Sequence, residues 1–279
     1  MPGSSRSRDE IRESLYSIAA DPRGDLAAGA LWIAAEEYPD LDPLPYLEYL
    51  DECAERVVGS VDAGADEIAW RRALAAEIYG REGFAGNSKE YYDPRNSHLN
   101  QVIDRRRGIP ITLAIVYLAV AHRIGRAAAG VNAPGHFLVL HGEELLDPFH
   151  GARIVEREAL LAQLEQAGAP DPKAQLEDLL EHPTDTRAIL VRVLVNLRLN
   201  HLRRRDPELA LTAVDRLVHL DPANPSWLRD RAALFQRLEC AAAAIRDLEG
   251  YLERVPDDPE APALRQAIAK LRPTVPSLQ

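Results

Sequence analysis

The chain has 279 residues, of which 46% are apolar, and it has a formal net charge of −11 with an isoelectric point near 5.3. This length exceeds one average domain, so two folded units are the expected organisation. The negative charge would repel nucleic-acid phosphates and anionic lipid, so we expect neither nucleic-acid binding nor membrane-surface binding.

The N-terminal residues Met1 to Arg8 are rich in Gly, Ser and Arg, and no long apolar run follows them. We therefore expect neither a secretory leader nor a transmembrane helix. Its two cysteines, Cys53 and Cys240, are too few for a disulfide framework or a cysteine-ligated zinc site. We expect a cytoplasmic protein in which each cysteine is an ordinary buried thiol.

The region from Asp9 to about Arg81 predicts successive amphipathic helices separated by proline and glycine breakers. One apolar stripe shows the helical spacing, and its members are Leu47, Leu50, Ala54, Val57 and Val58. A polar loop rich in turn-forming residues follows, and Ser97 is placed to cap a helix that runs to Arg107. The first part of the chain is therefore expected to be mainly helical.

A further helix is predicted after Gly108, which stops the one before it. It opens at Pro110, where a missing N–H group does no harm, and it runs to about Ile124. Its residues are apolar on nearly every side, so we expect this helix to lie at the centre of the first domain.

Short β-like segments follow the central helix and define the predicted fold class. They span Ala129 to Asn132, His136 to His141 and Glu144 to Asp147, with breaks at Pro134-Gly135 and Gly142. The first domain is therefore predicted to be α+β, with a helical part and a small antiparallel sheet.

The domain boundary is predicted from a change in the residue pattern along the chain. Helical character returns from Arg157 to Gln166, and a looser stretch begins at Gly168. We place the boundary between Gly168 and Thr184, which gives a first domain at 1–175 and a second domain at 185–279.

The C-terminal part repeats itself after 34 residues, the length of a tetratricopeptide helix pair. The matching positions pair Ala210 with Ala244, Leu211 with Ile245, Val214 with Leu248, Leu217 with Tyr251, Val218 with Leu252, Pro222 with Pro256 and Pro225 with Pro259. Predicted helices span 187–203, 227–238, 241–253 and 259–271. Such repeats stack on one another and build binding surfaces, whereas an ordinary helical bundle is the alternative.

Chemically useful side chains concentrate between Asn96 and Gly151. They are Asn96, His98, Thr112, His136, Asp147 and His150. Two antiparallel strands joined by a tight turn at Gly142 would bring His136 and Asp147 within reach of each other. A carboxylate beside an imidazole fixes its tautomer and stabilises its charged form, which is half of a nucleophilic triad.

Four motifs resemble those of a known family. They are Tyr91-Tyr92-Asp93-Pro94-Arg95-Asn96-Ser97, Arg107-Gly108-Ile109-Pro110-Ile111-Thr112-Leu113, Pro134-Gly135-His136-Phe137 and Asp147-Pro148-Phe149 with Gly151. With the repeat, they make the chain similar to the bacterial SirB-type transglutaminase-like proteins, which join a transglutaminase-like core to tetratricopeptide repeats. The resemblance begins near Leu26, extends to the C-terminus and implies a cysteine-protease-like first domain.

The resemblance also implies roles for particular residues. The wider superfamily uses a Cys at the start of a central helix, then a His and an Asp on successive strands, and His136 and Asp147 fall at these last two positions. Pro110 falls where the Cys is expected, so the nucleophile is missing. Thr112, Cys53 and Cys240 are the possible substitutes. A hydroxyl, however, needs stronger activation than a thiol, Cys53 lies beside an apolar helix stripe, and Cys240 lies in the repeat domain.

A metal site is a further alternative. It would use His98, His136, Asp147 and His150, but these residues show neither H-x-x-x-H nor H-E-x-x-H spacing. We therefore expect neither a metal nor another cofactor.

These patterns predict a non-catalytic transglutaminase-like protein that binds a protein or peptide partner through its repeat domain. The candidate binding residues are Asn96 and Thr112 in the first domain, and Arg192, Asn196 and Asn200 along one side of the helix at 187–203. The alternative is a hydrolase, or an acyl or amide transferase, that uses His136 and Asp147 with a non-cysteine nucleophile. A purely structural scaffold is the third hypothesis.

Overall fold

The computed structural model of the chain describes residues 7–21, 24–62 and 64–274. Within these residues there are thirteen α-helices and two small sheets, so the predicted sequence of an α+β part and an all-α part is confirmed. None of the helices in these ranges is long and apolar enough to span a bilayer. The chain divides into two compact units, Met1–Val193 and Leu194–Gln279.

Eight α-helices lie wholly within the described part of the first unit. They are α1 (Arg8–Ala20), α2 (Leu26–Ala35), α3 (Leu44–Gly59), α4 (Glu67–Ala75), α5 (Leu99–Arg105), α6 (Pro110–Arg123), α7 (Arg157–Gln166) and α8 (Pro172–Glu181). Local caps explain several of the starts: Ser7 forms a capping box with Glu10 at α1, and the Asp25 carboxylate accepts two backbone N–H groups at α2. A π-helical turn, Ala76–Arg81, continues α4.

Helix α6 is the central element of the first unit, as predicted. Every residue from Pro110 to Ala121 is buried, and the first ionisable side chains with partial exposure, His122 and Arg123, come at its end. Pro110 occupies the first helical turn, and the Thr112 hydroxyl accepts the N–H of Ile109, which would otherwise be an unpaired donor. Helices α2 and α3 and the sheet pack around α6.

A four-stranded antiparallel sheet lies beside α6, in the order β3 (Ala128–Val131), β4 (Leu138–His141), β5 (Glu144–Asp147) and β6 (Arg153–Val155). The three predicted segments are strands β3, β4 and β5, although β4 begins two residues later than expected. Strand β6 was not predicted, because only three residues pair and two of them are exposed at the edge of the sheet. Between β4 and β5, Gly142 has a φ of 65°, which the tight turn requires.

A two-stranded parallel sheet joins the loop before α5 to the start of α6. Its strands are β1 (Ala85–Gly86) and β2 (Arg107–Gly108), and Gly86 pairs with Gly108. Helix α5 is shorter than predicted: His98 precedes it instead of Ser97, and Arg106 ends it in the left-handed region at φ 55°. The chain can then enter β2 and reach Pro110 directly.

The division between the two units falls inside α9 (Thr186–Arg204), whereas the sequence predicted a boundary between Gly168 and Thr184. That stretch contains α8, which begins at Pro172 with the Asp171 carboxylate as its cap. The first half of α9 belongs to the first unit because Leu190 fills the space beside Gly29 and Thr184 donates its N–H to the carbonyl of Gly130.

The second unit is all α-helical within the described residues. After the second half of α9 it contains α10 (Pro207–Leu220), α11 (Ser226–Arg237), α12 (Ala241–Arg254) and α13 (Ala261–Leu271). Six of the fourteen positions matched by the 34-residue repeat are buried, among them Ala210, Val214, Ala244 and Leu248. The terminal helix α13 turns Ile268 inward and leaves Arg265 and Lys270 exposed, as its apolar pattern predicts.

One ion-pair cluster is built into this repeat. Arg231 of α11 donates two hydrogen bonds to Asp247 of α12, both at 2.7 Å, and a third to Asp215 of α10, also at 2.7 Å. Asp247 is only 7% exposed, so its carboxylate depends on Arg231 for compensation. The arginine therefore ties three consecutive helices together.

Candidate active-site cleft

The candidate site is formed where β4 begins and β5 ends. His136 follows a turn at Pro134–Gly135, in which Gly135 has a φ of 70°, and lies two residues before β4. Asp147 is the last residue of β5. Its carboxylate lies 3.0 Å from Nε2 of His136, so the hairpin brings together the two side chains that the sequence paired.

A second imidazole joins this pair. His150 lies on the 3-10 turn Pro148–His150, and its Nδ1 is 2.6 Å from the other oxygen of Asp147. Asp147 also caps the turn, because it accepts the backbone N–H groups of Phe149 and His150 at 3.0 and 3.3 Å. The sequence included His150 among the useful residues, but only the 3-10 turn shows that it contacts the same carboxylate.

The electrostatics of the cluster centre on Asp147. Burial by itself would raise the pKa of this carboxyl, but hydrogen bonds from His136 and His150 lower it to about 2. The Asp147 side chain is 4% exposed, whereas those of His136 and His150 are 21% and 56% exposed. An ionised carboxylate is thus held beneath two imidazoles that are open to solvent.

The three side chains face a cleft of about 640 Å³. Its wall is completed by residues that follow the cluster in the chain, among them Arg153, Gln163 and Gln166. The cleft therefore combines two imidazoles, a guanidinium and two carboxamides around one buried carboxylate with an apolar wall that includes Leu138 and Val155. These groups suit a ligand that has both a polar group and an apolar part.

The start of α6 lies close to this turn. A Cβ on Gly86 would lie 2.6 Å from the Phe149 ring, and Gly86 pairs with Gly108, two residues before Pro110. The residue at the first position of the helix is a buried proline, which offers no nucleophilic atom.

Asn96 and Thr112 are brought together by the structure, but as internal scaffolding. Both side chains are fully buried. The Thr112 hydroxyl donates to the Asn96 carbonyl at 2.7 Å, and the Asn96 amide donates to the carbonyl of Glu90 at 2.7 Å. These hydrogen bonds hold the loop at 90–96 against the start of α6.

The two cysteines lie on elements other than those that carry the cluster. Cys53 in α3 is 2% exposed, and burial raises the pKa of its thiol. Cys240 precedes α12 in the second unit and is exposed, so the expectation that both thiols are buried was wrong for Cys240. Cys240 is exposed because it lies in the turn between α11 and α12, at the outside of this helix pair.

Arg192, Asn196 and Asn200 all lie on α9 but differ in environment. Arg192 belongs to the first unit and is half-buried; burial raises the pKa of Tyr91, and the nearby charge of Arg192 opposes that rise. Asn196 is half-buried in the second unit, and Asn200 is 5% exposed. The polar stripe is therefore only partly accessible, since Asn200 lies within the packed side of its helix.

Tyr91 and Tyr92 extend the candidate site along its rim. Their rings meet edge to face at 5.3 Å, and the Tyr91 ring lies 6.0 Å from that of Phe149, which in turn contacts His150 at 5.2 Å. Tyr92 is 55% exposed. Tyr92, Tyr91, Phe149 and His150 thus form a row of aromatic rings whose two end members are exposed.

A His–Asp pair lies at the edge of a small antiparallel sheet, beside the start of a buried helix, and this arrangement is typical of a transglutaminase-like domain. The helix pairs that follow, with their period of 34 residues, are typical of tetratricopeptide repeats. Comparison with known proteins agrees: residues 45–195 match the family described as transglutaminase-like superfamily, and residues 197–269 match a tetratricopeptide repeat family. The predicted family and fold are confirmed.

Several bacterial relatives cover most of the chain. A UPF0162 protein of Xylella fastidiosa (strain Temecula1) is 38% identical over 242 residues, which are 83% of this chain and 84% of that protein. A UPF0162 protein of Pseudomonas aeruginosa is 32% identical over 95% of this chain and 97% of its own length. Protein SirB1 of Salmonella typhimurium is 29% identical over 70% of this chain and 73% of its own length. The chain belongs to the UPF0162 and SirB1 family of transglutaminase-like proteins.

Proposed function

We propose that this chain is a non-catalytic transglutaminase-like protein that binds a protein or peptide partner. The observation that supports this proposal is the combination of an open His136–Asp147 cleft with Pro110 at the first position of α6. The superfamily places its nucleophilic thiol at that position, whereas proline has no side-chain heteroatom. A cleft that retains its recognition groups but lacks its nucleophile is suited to binding.

The available substitutes for the thiol support the same proposal. The Thr112 hydroxyl is buried and already donates to the Asn96 carbonyl, so it is not free to attack a substrate. Cys53 lies on another helix, and burial raises the pKa of its thiol, which disfavours the reactive thiolate. Neither residue takes over the role of the missing nucleophile.

The repeat domain is the proposed partner-binding part. Stacked tetratricopeptide helices form extended surfaces for protein recognition. The proposed polar groups on α9 are both half-buried: Asn196 lies in the part of the helix that belongs to this unit, and Arg192 lies in the part that belongs to the first unit. The proposed compartment is the cytoplasm, because both cysteines are unpaired, which suits a reducing environment.

The first test uses Pro110. The wild-type protein is expected to show no transamidase or amidase turnover, either before or after alkylation of its thiols with iodoacetamide. In a variant with Cys53→Ala and Cys240→Ser, the added substitution Pro110→Cys places a thiol at a helix N-terminus, which lowers a thiol pKa. The pH dependence of thiolate absorbance measures that pKa. Wild-type turnover that iodoacetamide abolishes would contradict the proposal, and an unshifted thiol pKa would contradict the assignment of Pro110.

The second test addresses partner binding. Replacing Arg192 and Asn196 together with Ala is expected to weaken capture of a partner from native lysate while the melting temperature stays nearly unchanged. The matched control is Arg265→Ala with Lys270→Ala, two exposed residues on α13. Equal capture by both double variants would exclude the α9 residues from the binding surface.

A second candidate function is hydrolysis, or acyl or amide transfer, with a non-cysteine nucleophile such as water. The ionised Asp147 could orient His136 as a general base facing the cleft, which favours this alternative. Turnover of small ester or amide substrates that is lost in His136→Ala, but retained after thiol alkylation, would support hydrolysis over the binding proposal.

A further inference from the structure

The cluster in the cleft has the composition of a metal centre. A ring nitrogen of His136, a ring nitrogen of His150 and a carboxylate oxygen of Asp147 all lie within 4.8 Å of one another. They come from a loop, a 3-10 turn and a strand end, so no regular spacing in the sequence relates them. We propose that His136, Asp147 and His150 bind one divalent first-row transition metal ion, with Zn²⁺ as the reference ion.

The distances are compatible with this role. Zinc lies about 2.0–2.2 Å from imidazole nitrogen and carboxylate oxygen, so neighbouring ligand atoms of a tetrahedral site are roughly 3.3 Å apart. The two imidazoles now lie 3.0 and 2.6 Å from the carboxylate oxygens. Each imidazole therefore has to move away from the carboxylate by less than about 1 Å to make room for the ion. The exposed ring of His150 can move that far without disturbing the core.

The donor set is also of a suitable kind. Imidazole nitrogens and carboxylate oxygens are common ligands of divalent first-row metal ions in proteins. Two imidazoles and one carboxylate leave coordination positions open, as in zinc sites that bind an exogenous ligand. Here those positions face the cleft.

Another cluster of potential ligands shows why composition alone is insufficient. Cys53, Glu77 and Glu82 also bring three ligand atoms together. Arg56, however, lies 2.5 Å from Glu77 and 2.8 Å from Glu82, so a cation already occupies the centre of that group. At Asp147, by contrast, the side chains of His136 and His150 contact the carboxylate, and both are imidazoles that can themselves ligate a metal.

The test uses the full-length protein carrying Cys53→Ala and Cys240→Ser, which removes both thiol ligands. ZnCl₂ binding is measured by calorimetry, and Co²⁺ binding is measured by visible absorption. One Zn²⁺ per chain and a tetrahedral Co²⁺ spectrum are expected. His136→Ala and His150→Ala are each expected to weaken Zn²⁺ binding at least about tenfold, since removal of supporting groups around a metal already costs about that much.

The matched control is His182→Ala. His182 Nδ1 also lies 3.1 Å from a carboxylate, that of Asp178, but this pair is exposed and has no second imidazole. Affinity in this variant is expected to stay unchanged. Circular dichroism verifies that each variant is folded, and His150 provides the less disruptive substitution because it is the more exposed. Absence of stoichiometric binding, or equal affinity in His150→Ala and His182→Ala, would overturn the metal site; neither result bears on peptide capture by α9.

Discussion

Thr112 has a structural role at the start of the central helix. Its hydroxyl donates to the Asn96 carbonyl at 2.7 Å and accepts the Ile109 N–H at 3.1 Å, and its side chain is fully buried. One hydroxyl therefore satisfies two backbone groups that have no access to water. Such groups are costly to leave unpaired in the interior.

Thr112→Val is expected to reduce the free energy of unfolding by about 1–3 kcal/mol, because it keeps the shape of the side chain but leaves these two backbone groups unsatisfied. Urea unfolding followed by tryptophan fluorescence measures the change. Thr186→Val, on a half-buried residue at the first position of α9, is the control and is expected to change stability by less than about 0.5 kcal/mol. Similar values for the two variants would show that the Thr112 hydrogen bonds contribute little.

At the scale of secondary-structure elements, the small parallel sheet positions the 3-10 turn of the candidate site. Gly86 in β1 contacts the Phe149 ring so closely that a Cβ would lie 2.6–2.7 Å from three ring carbons. Phe149 is flanked on the same turn by Pro148 and His150. The glycine therefore allows the turn, with its histidine, to lie directly against the strand that borders α6.

Gly86→Ala is expected to destabilise the first unit by about 1–3 kcal/mol, because the Phe149 ring and the turn must move. Hydrogen exchange of the segment at 145–155 is expected to increase in parallel. Gly59→Ala serves as the control, since a Cβ at that helix end meets nothing within 4 Å and alanine favours the helix. If Gly86→Ala were as harmless as Gly59→Ala, the close contact would not position the turn.

At the scale of the whole molecule, two compact units are stabilised by different means. The first is organised around an apolar helix and includes a buried histidine: Nδ1 of His141 lies 2.7 Å from the Tyr117 hydroxyl, and Nε2 lies 2.7 Å from Glu67. The second relies on repeated apolar positions and on the Arg231 ion pairs. Their responses to pH are therefore expected to differ.

Burial lowers the pKa of His141, although Glu67 opposes this effect; Arg71 and Arg126 nearby lower it further. The unfolded chain then binds more protons than the folded chain just below the ordinary histidine pKa of about 6.5. The contribution of His141 to stability is therefore present above this pH and declines as the pH falls through that window. We expect the urea midpoint of the first unit to be lower at pH 5.5 than at pH 7.5.

His141→Gln removes the titrating group and is expected to reduce this pH dependence, whatever its effect on absolute stability. The control is His182→Gln, which changes an exposed imidazole and is expected to leave the pH profile unchanged. Equal profiles for wild type and His141→Gln would show that this histidine does not couple stability to pH.

The sequence by itself determined the features that depend on local order along the chain. Periodicity predicted α6, α7 and the repeat helices, because an amphipathic or wholly apolar segment specifies which side must be buried. The spacing of the hairpin predicted the contact between His136 and Asp147, since a tight turn fixes the register of two antiparallel strands. The resemblance predicts that Pro110 occupies the position at which the superfamily has its thiol.

Only the tertiary structure decided the features that depend on contacts between distant segments. The two-residue strands β1 and β2 are too short to show periodicity, and Gly86 meets Phe149 far along the chain. The unit boundary falls within α9 because Leu190 packs beside Gly29, a contact that no linker signal reports. His150 joins Asp147 because a 3-10 turn directs both side chains to one place, and a turn of three residues has no repeating pattern from which that direction can be predicted.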